Sequence, residues 1–275
     1  ARAYDATFAW EMDAEKRVVI ATGLFPPEIG GPATYSELLV GGLPQGGMGL
    51  RVVPFRSVRR APKILRHCMY FFRVTAASRG ADIVFAQDPV STGLPATVAA
   101  RIMRKKFLLK IVGDYAWEQH QNQKSKIKRQ NYKSKIKNVT IDEFQVQKYG
   151  AITELRRAVQ KFVARRADRI IVPSAYLKSI VVQWGVPEKR ISVIYNAFEA
   201  PSILLAKEEA RVLLGIAPDA FQIVSVGRLV PWKGFEALIR AMATVRKEIP
   251  AARLVIIGSG PQEEMLRRVI AQEHL

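Results

Sequence analysis

Arg228 and Lys233 lie in the stretch Ser225-Val226-Gly227-Arg228-Leu229-Val230-Pro231-Trp232-Lys233-Gly234, where an apolar run gives way to helical spacing. Phe221–Gly227 reads as a buried parallel strand ending on glycine. Leu238, Ile239, Met242 and Val245 then recur with helical periodicity over Phe235–Arg246. A strand-to-helix loop of this kind offers unpaired N–H groups at the helix amino terminus, and Gly227 and Gly234 allow close approach to the backbone. Two cations there make an anion site, with phosphate as the fitting chemistry.

Three further loops carry candidate chemistry, each directly after an apolar run. Phe25 to Tyr35 holds paired prolines, the pair Gly30-Gly31, and Pro32, which suits the first turn of a helix. Ala86-Gln87-Asp88-Pro89 places Gln87 and Asp88 where they could bind ligand hydroxyls, and Asp before Pro serves equally as a turn and helix-start device. Gly113-Asp114-Tyr115-Ala116-Trp117 offers a carboxylate and two rings, Tyr115 and Trp117, that could stack on a ligand or pack the loop. His120 lies just beyond. Ser174 is expected to cap a helix.

The elements that must position these groups alternate along the chain. Strands are expected at Val18–Gly23, Arg51–Phe55, Asp82–Ala86, Phe107–Gly113, Arg169–Pro173 and Ile191–Tyr195, with helical segments between them. That is the pattern of an α/β fold with a doubly wound parallel sheet. A second βαβ series follows Pro201, with strands at Phe221–Gly227 and Arg253–Gly258 and a last helix at Gln262–Glu273. The domains are thus read as an extension over 1–17, a first domain over 18–200 and the first part of a second over 201–275. Two strands cannot cover both faces of such a sheet. The second domain is therefore expected to be incomplete, the chain being a fragment or a separate polypeptide completing it.

At 275 residues with 49% hydrophobic content, the chain can bury a substantial core. Its formal charge of +19 asks for a polyanionic neighbour: nucleic acid, an anionic membrane surface or substrate phosphate. The basic residues gather at Arg56 to Arg73, Lys124 to Lys137 and Arg156 to Arg169. The middle cluster belongs to a tandem copy, Gln121–Arg129 and Gln130–Asn138, read as a flexible basic insertion over 121–138. The single cysteine, Cys68, falls on an apolar helix stripe with Ile64, Leu65, Met69 and Phe72, and is expected to be buried and inert. No apolar run reaches membrane-spanning length.

The loop at 225–234, continued by Arg253 to Pro261 with its Gly258-Ser259-Gly260 exit, resembles the donor-diphosphate loop of family 4 glycosyltransferases, retaining enzymes of the GT-B fold. The resemblance runs from about Val18 to Leu275. It implies a nucleotide-sugar donor held by Arg228 and Lys233, with Gly227, Ser259 and Gly260 lining the nucleotide site. The Gly30-Gly31 pair is similar to one that faces donor phosphate and acceptor. In many relatives a His-Asp type pair closes the strand ending at Gly113; here Gly113 stands in the histidine's place and Asp114 remains as the sugar-side candidate. Gln87, Asp88, Tyr115 and Trp117 then become acceptor candidates, the acceptor being a carbohydrate or a lipid-linked one. The family's two glutamates, separated by seven residues, have no counterpart here, and truncation explains their absence. No cofactor or metal is implied, and the expected location is the cytoplasm or the inner membrane surface.

Other chemistries lack their residues. His67, His120 and His274 are the only histidines, which leaves no zinc cluster. Neither Asp-x-Asp, Gly-x-Ser-x-Gly nor a Walker Gly-Lys-Ser/Thr loop occurs, and residues 23 to 31 lack Gly-x-Gly-x-x-Gly. Two alternatives stay open: a non-catalytic basic protein binding a membrane surface or nucleic acid on a GT-B-derived fold, and a GT-B epimerase or phosphorylase.

Overall fold

The computed structural model describes residues 16–130, 139–197 and 205–275. The chain divides into two units, one of residues 1–116 and 148–196, and another of 117–147 and 197–275. The second copy of the basic repeat lies almost wholly outside the described residues.

The first unit is built on six parallel strands: β1 (Lys16–Thr22), β2 (Met48–Pro54), β3 (Ile83–Ala86), β4 (Lys106–Lys110), β5 (Arg169–Val172) and β6 (Ile191–Val193). Their order is β2-β1-β3-β4-β5-β6, with Val18 opposite both Leu50 and Ile83. Parallel sheets are covered on both faces, so their central strands run apolar without alternation. Val18 to Ala21 are all buried accordingly. Helix α1 (Gly31–Gly42) sets Tyr35 and Leu39 against Val18, Ile20 and Phe85. Helix α2 (Lys63–Ala77) packs beside α3 (Gly93–Ile102), which in turn contacts α6 (Ala151–Arg166). Helix α7 (Ala175–Gln183) begins at Ser174, whose hydroxyl accepts from Leu177 N at 3.1 Å.

Three expectations are corrected. Cys68 is exposed, as are Ile64, Leu65, Met69 and Phe72, because α2 is apolar on two sides and the core uses Tyr70, Val74 and Ala77. The first repeat copy is not a loop: it continues helix α4 (Tyr115–Gln130), followed by α5 (Ile141–Val146). Its Lys, Gln and Arg residues have good helix propensity. Strand β1 also starts at Lys16, taking in residues assigned to the extension, and Arg17 N donates to Asp82 Oδ2 at 2.9 Å.

In the second unit, α8 (Lys207–Leu213) precedes the parallel pair β7 (Gln222–Val226) and β8 (Arg253–Ile257), with α9 (Phe235–Glu248) and α10 (Glu263–Gln272) packed together. The core is Leu229, Phe235, Ile239, Leu266 and Val269, with Leu254 and Ile256 against it. Val224, Val226, Val255 and Ile257 are exposed, so one face of this two-stranded sheet is uncovered.

Candidate functional site

All strands of each sheet are parallel, so their carboxyl ends share one edge and the candidate loops collect there. In the second unit the loops after β7 and β8 are fastened to each other. Gly227 N donates to Ile257 O at 3.0 Å, Leu229 N to Ser259 O at 2.9 Å, and Gln262 N to Leu229 O at 3.1 Å. The spacing Gly258-x-Gly260 follows from that contact. A Cβ on Gly258 would lie 1.9 Å from the Gly227 carbonyl oxygen, and one on Gly260 2.6 Å from that of Leu229. Gly260 is thus filled by protein backbone. Gly227 approaches the Phe235 ring, where a Cβ would come within 3.3 Å.

Between these anchors a short 3-10 turn, Pro231–Lys233, ends on Gly234 in the left-handed region (φ 73°), and α9 starts at once. The glycine is required by its φ, since a Cβ would meet nothing. Arg228, before the turn, and Lys233, its last residue, are both exposed, and neither pairs with a carboxylate among the described residues. Trp232 lies between them in sequence. Its ring sits 5.7 Å from the Arg228 guanidinium carbon, and its centroid 6.1 Å from that of Trp117, another residue of the second unit. The Trp117 indole N–H is committed to Val139 O at 2.8 Å. The row Arg228, Trp232, Trp117 holds the guanidinium without spending its hydrogen-bond donors. The large hollow of about 1260 Å³ in this unit is lined by neither Arg228 nor Lys233.

In the first unit the loop after β1 is tied down by two arginines. Arg59 donates to the Gly23 carbonyl at 2.9 Å and pairs with Glu28, while Arg56 donates to Pro26 O at 2.8 Å. Gly30 takes φ 151° and its oxygen accepts from Ala33 N and Thr34 N, starting α1. Gly31 is exposed with open space around it. Below the loop, Gln87 is buried, its Oε1 3.1 Å from Thr22 Oγ1 and 3.0 Å from Ser36 Oγ. Each hydroxyl has one proton, and these go at 2.7 Å to Leu24 O and Pro32 O. Turning the amide so that Nε2 meets both hydroxyl oxygens gives two acceptors to an Nε2 otherwise buried without a partner.

Asp88 spends both oxygens on the start of α3. Oδ1 accepts from Val90 N and Ser91 N, and Oδ2 from Thr92 N and the Thr92 hydroxyl. Asp114 is 1% exposed and accepts from Gln160 Nε2 at 2.9 Å, while Gln160 Oε1 accepts from Ala116 N at 3.0 Å. Gln160 therefore clamps the β4-to-α4 turn from α6. Tyr115 is half-buried, its hydroxyl 3.4 Å from Ser91 Oγ. His120 packs its ring against Phe144. A Cβ on Gly23 would lie 3.6 Å from Asp88 Oδ2, and Asp88 holds Ser91, which Tyr115 reaches, so Gly23, Asp88 and Tyr115 share one neighbourhood.

Lys110, at the end of β4, was not singled out in the sequence. It is buried, donates to Asn196 Oδ1 at 3.0 Å and lies over the Tyr35 ring. Burial pulls its pKa down to about 8. An internal lysine in a strand ending is its one sequence signal.

The family described as Glycosyl transferase 4-like domain matches residues 13–197, and Glycosyl transferases group 1 matches residues 206–275. A GDP-mannose-dependent alpha-(1-6)-phosphatidylinositol monomannoside mannosyltransferase of Mycobacterium tuberculosis is 39% identical over 118 residues, 41% of this chain and 30% of that protein. Sucrose-phosphate synthase of Thermosynechococcus elongatus superposes with a TM-score of 0.64 at 17% identity, covering 94% of this chain and 68% of that one. HepE of Anabaena, solved with UDP-glucose, gives a TM-score of 0.60 at 18% identity, covering 94% and 66%. Those two likenesses are of fold, the GT-B type of α/β architecture. Matches to the curated relatives span between 26% and 34% of those proteins' length.

Proposed function

The chain belongs to the glycosyl transferase 4-like family, and on that premise we propose that it moves a sugar from a nucleotide-sugar to an acceptor hydroxyl with retention at the anomeric carbon. The observation that carries this reading is the pair of exposed, carboxylate-free cations Arg228 and Lys233 beside the amino terminus of α9. The bond from the anomeric carbon to the diphosphate oxygen breaks, the bond to the acceptor oxygen forms, and the acceptor proton ends on the leaving diphosphate. Fixed cations and helix N–H groups act where that charge grows. They serve in place of a metal, so a chelator should leave turnover unchanged. The family match favours this enzyme over a non-catalytic binder.

The donor diphosphate is assigned to Arg228, Lys233 and the Gly227 turn, with Ser259 and Gly260 shaping the loop beside it. The acceptor is assigned to the first unit's edge, at Gly30, Gly31 and Tyr115. Asp114, Gln87 and Asp88 hold that edge in place; Trp117 supports Trp232. The open face of β7 and β8 supports a reading in which further polypeptide, in the same chain or another, completes the donor unit.

A lipid surface is the proposed setting, which would suit a lipid-linked acceptor. Ile64 and Phe72 on α2 are 83% and 67% exposed, and no acidic residue occurs between Glu37 and Asp82. Among the described residues no helix can span a bilayer. An amphipathic, basic helix suits an anionic membrane surface at the cytoplasmic side. Retention on phosphatidylglycerol vesicles, lost in Ile64→Ser/Phe72→Ser, is the expected result; equal binding of both proteins would remove α2 from that role.

The test of the function is a screen of nucleotide-sugars by transfer, with Lys233→Ala beside the wild type. Turnover should fall by about 10²-fold or more. A variant working at the wild-type rate would sink the assignment of Lys233.

A further inference from the structure

We propose a second anion subsite, for a phosphoryl group, at the opposite edge of the six-stranded sheet from the loops described above. Arg101, Arg104, Lys105, Lys106 and Arg166 converge there on a cavity of about 230 Å³, where α3 and α6 end and β4 begins. The site lies a strand length from the carboxyl edge, roughly 13 Å or more. Thr97 and Phe107 also line the cavity.

The charges at this place do not balance internally. Among the described residues none of the five cations pairs with a carboxylate. Asp168 is the one acid in the lining, and its Oδ2 is engaged by Phe107 N at 2.8 Å. Cations at helix carboxyl termini can be explained by the macrodipole alone, which supplies about half a negative charge per helix. Two helix ends and Asp168 still leave roughly three positive charges without a counter-charge.

Arg104 adds an independent sign. It sits at φ 53° just past α3, with Lys105 N donating to Ala100 O at 2.8 Å and Arg104 N to Arg101 O. This is the helix-ending position where glycine is favoured, because a side chain is strained there. An arginine kept in a glycine place points to a use for its cation, and its planar fork fits phosphate oxygens in pairs. The cavity volume admits a phosphate or diphosphate group. That group belongs to a free phosphorylated molecule or to a phospholipid head.

Arg104→Gly separates use from fold, since it removes the cation while relieving the strain. The variant should melt no lower than wild type. Calorimetric titration with inorganic phosphate and pyrophosphate, at matched ionic strength, should show a binding phase weakened about tenfold by Arg104→Gly and by Arg101→Ala. Lys207→Ala, an exposed cation of the second unit, should leave it unchanged. If the free anions show no such phase, phosphatidic acid vesicles should bind wild type better than Arg104→Gly even with Ile64→Ser/Phe72→Ser present in both, which assigns the headgroup as the source. Equal binding of wild type and Arg104→Gly in both arms, or an equal loss in Lys207→Ala, would overturn the proposal.

Discussion

The guanidinium carbon of Arg228 lies 5.7 Å from the centre of the Trp232 ring, four residues along the same loop. Trp232 is half-buried and makes the loop's cation part of a stack, so the guanidinium is oriented before any anion arrives. Trp232→Leu should leave the fold intact and weaken nucleoside diphosphate binding about three- to tenfold, the range expected for one cation–π contact. Fluorescence-independent titration, for example calorimetry, measures it. Unchanged affinity would mean that Arg228 is positioned by something else.

The two glycines of the exit from β8 differ in kind from Gly31. A methyl group on Gly258 meets the Gly227 carbonyl oxygen at 1.9 Å, which backbone cannot yield without separating the strands' ends. Gly258→Ala should destabilise the second unit by about 2–3 kcal/mol. Gly31→Ala meets nothing within 4 Å and should be near neutral in stability. Chemical denaturation of the pair checks both, and an equally mild effect of the two would contradict the fastening of the loops.

Asp88 was legible in the sequence as either a ligand-binding group or a helix-start device, and its hydrogen bonds support the second. Asp88→Ala removes an acceptor for several N–H groups at the start of α3 and should cost about 1–2 kcal/mol of stability. Asp88→Asn, which keeps one acceptor oxygen, should recover most of it. A loss of turnover at unchanged stability in both variants would return Asp88 to the ligand.

How much was readable follows from the range of each interaction. The eight described strands were visible because parallel strands run largely apolar, here over three to seven residues, and Ser174 was visible because a cap acts over three positions. The Arg228 loop was visible because its cations and glycines are adjacent. Gln160 holding Asp114, Arg59 holding Gly23, and the gathering of Arg101 with Arg166 join residues far apart in sequence, where no local pattern marks them. Cys68 was misplaced for a related reason: periodicity identifies an apolar stripe on α2 without saying which of two stripes the core will use.

Lys110 gives the last prediction, a pH dependence of stability. Its ammonium is buried on neutral partners, Asn196 and the Tyr35 ring, and burial lowers its pKa from the ordinary 10.5 to about 8. Between those values the unfolded chain keeps a proton that the folded protein has lost, so the unfolded state binds more protons and stability rises with pH. Below pH 8 both states are protonated and the cost of burying the charge is fully present. Each pKa unit corresponds to about 1.4 kcal/mol, but Asn196 is exposed and brings water close, which reduces the effect to about 1–2 kcal/mol. Lys110→Met should therefore be more stable than wild type at pH 7 by that amount and should lose the advantage as pH climbs from 8 toward 10.5. Thermal melts of both proteins across that window test it; parallel curves would show that Lys110 keeps an ordinary pKa and that its contacts compensate its burial.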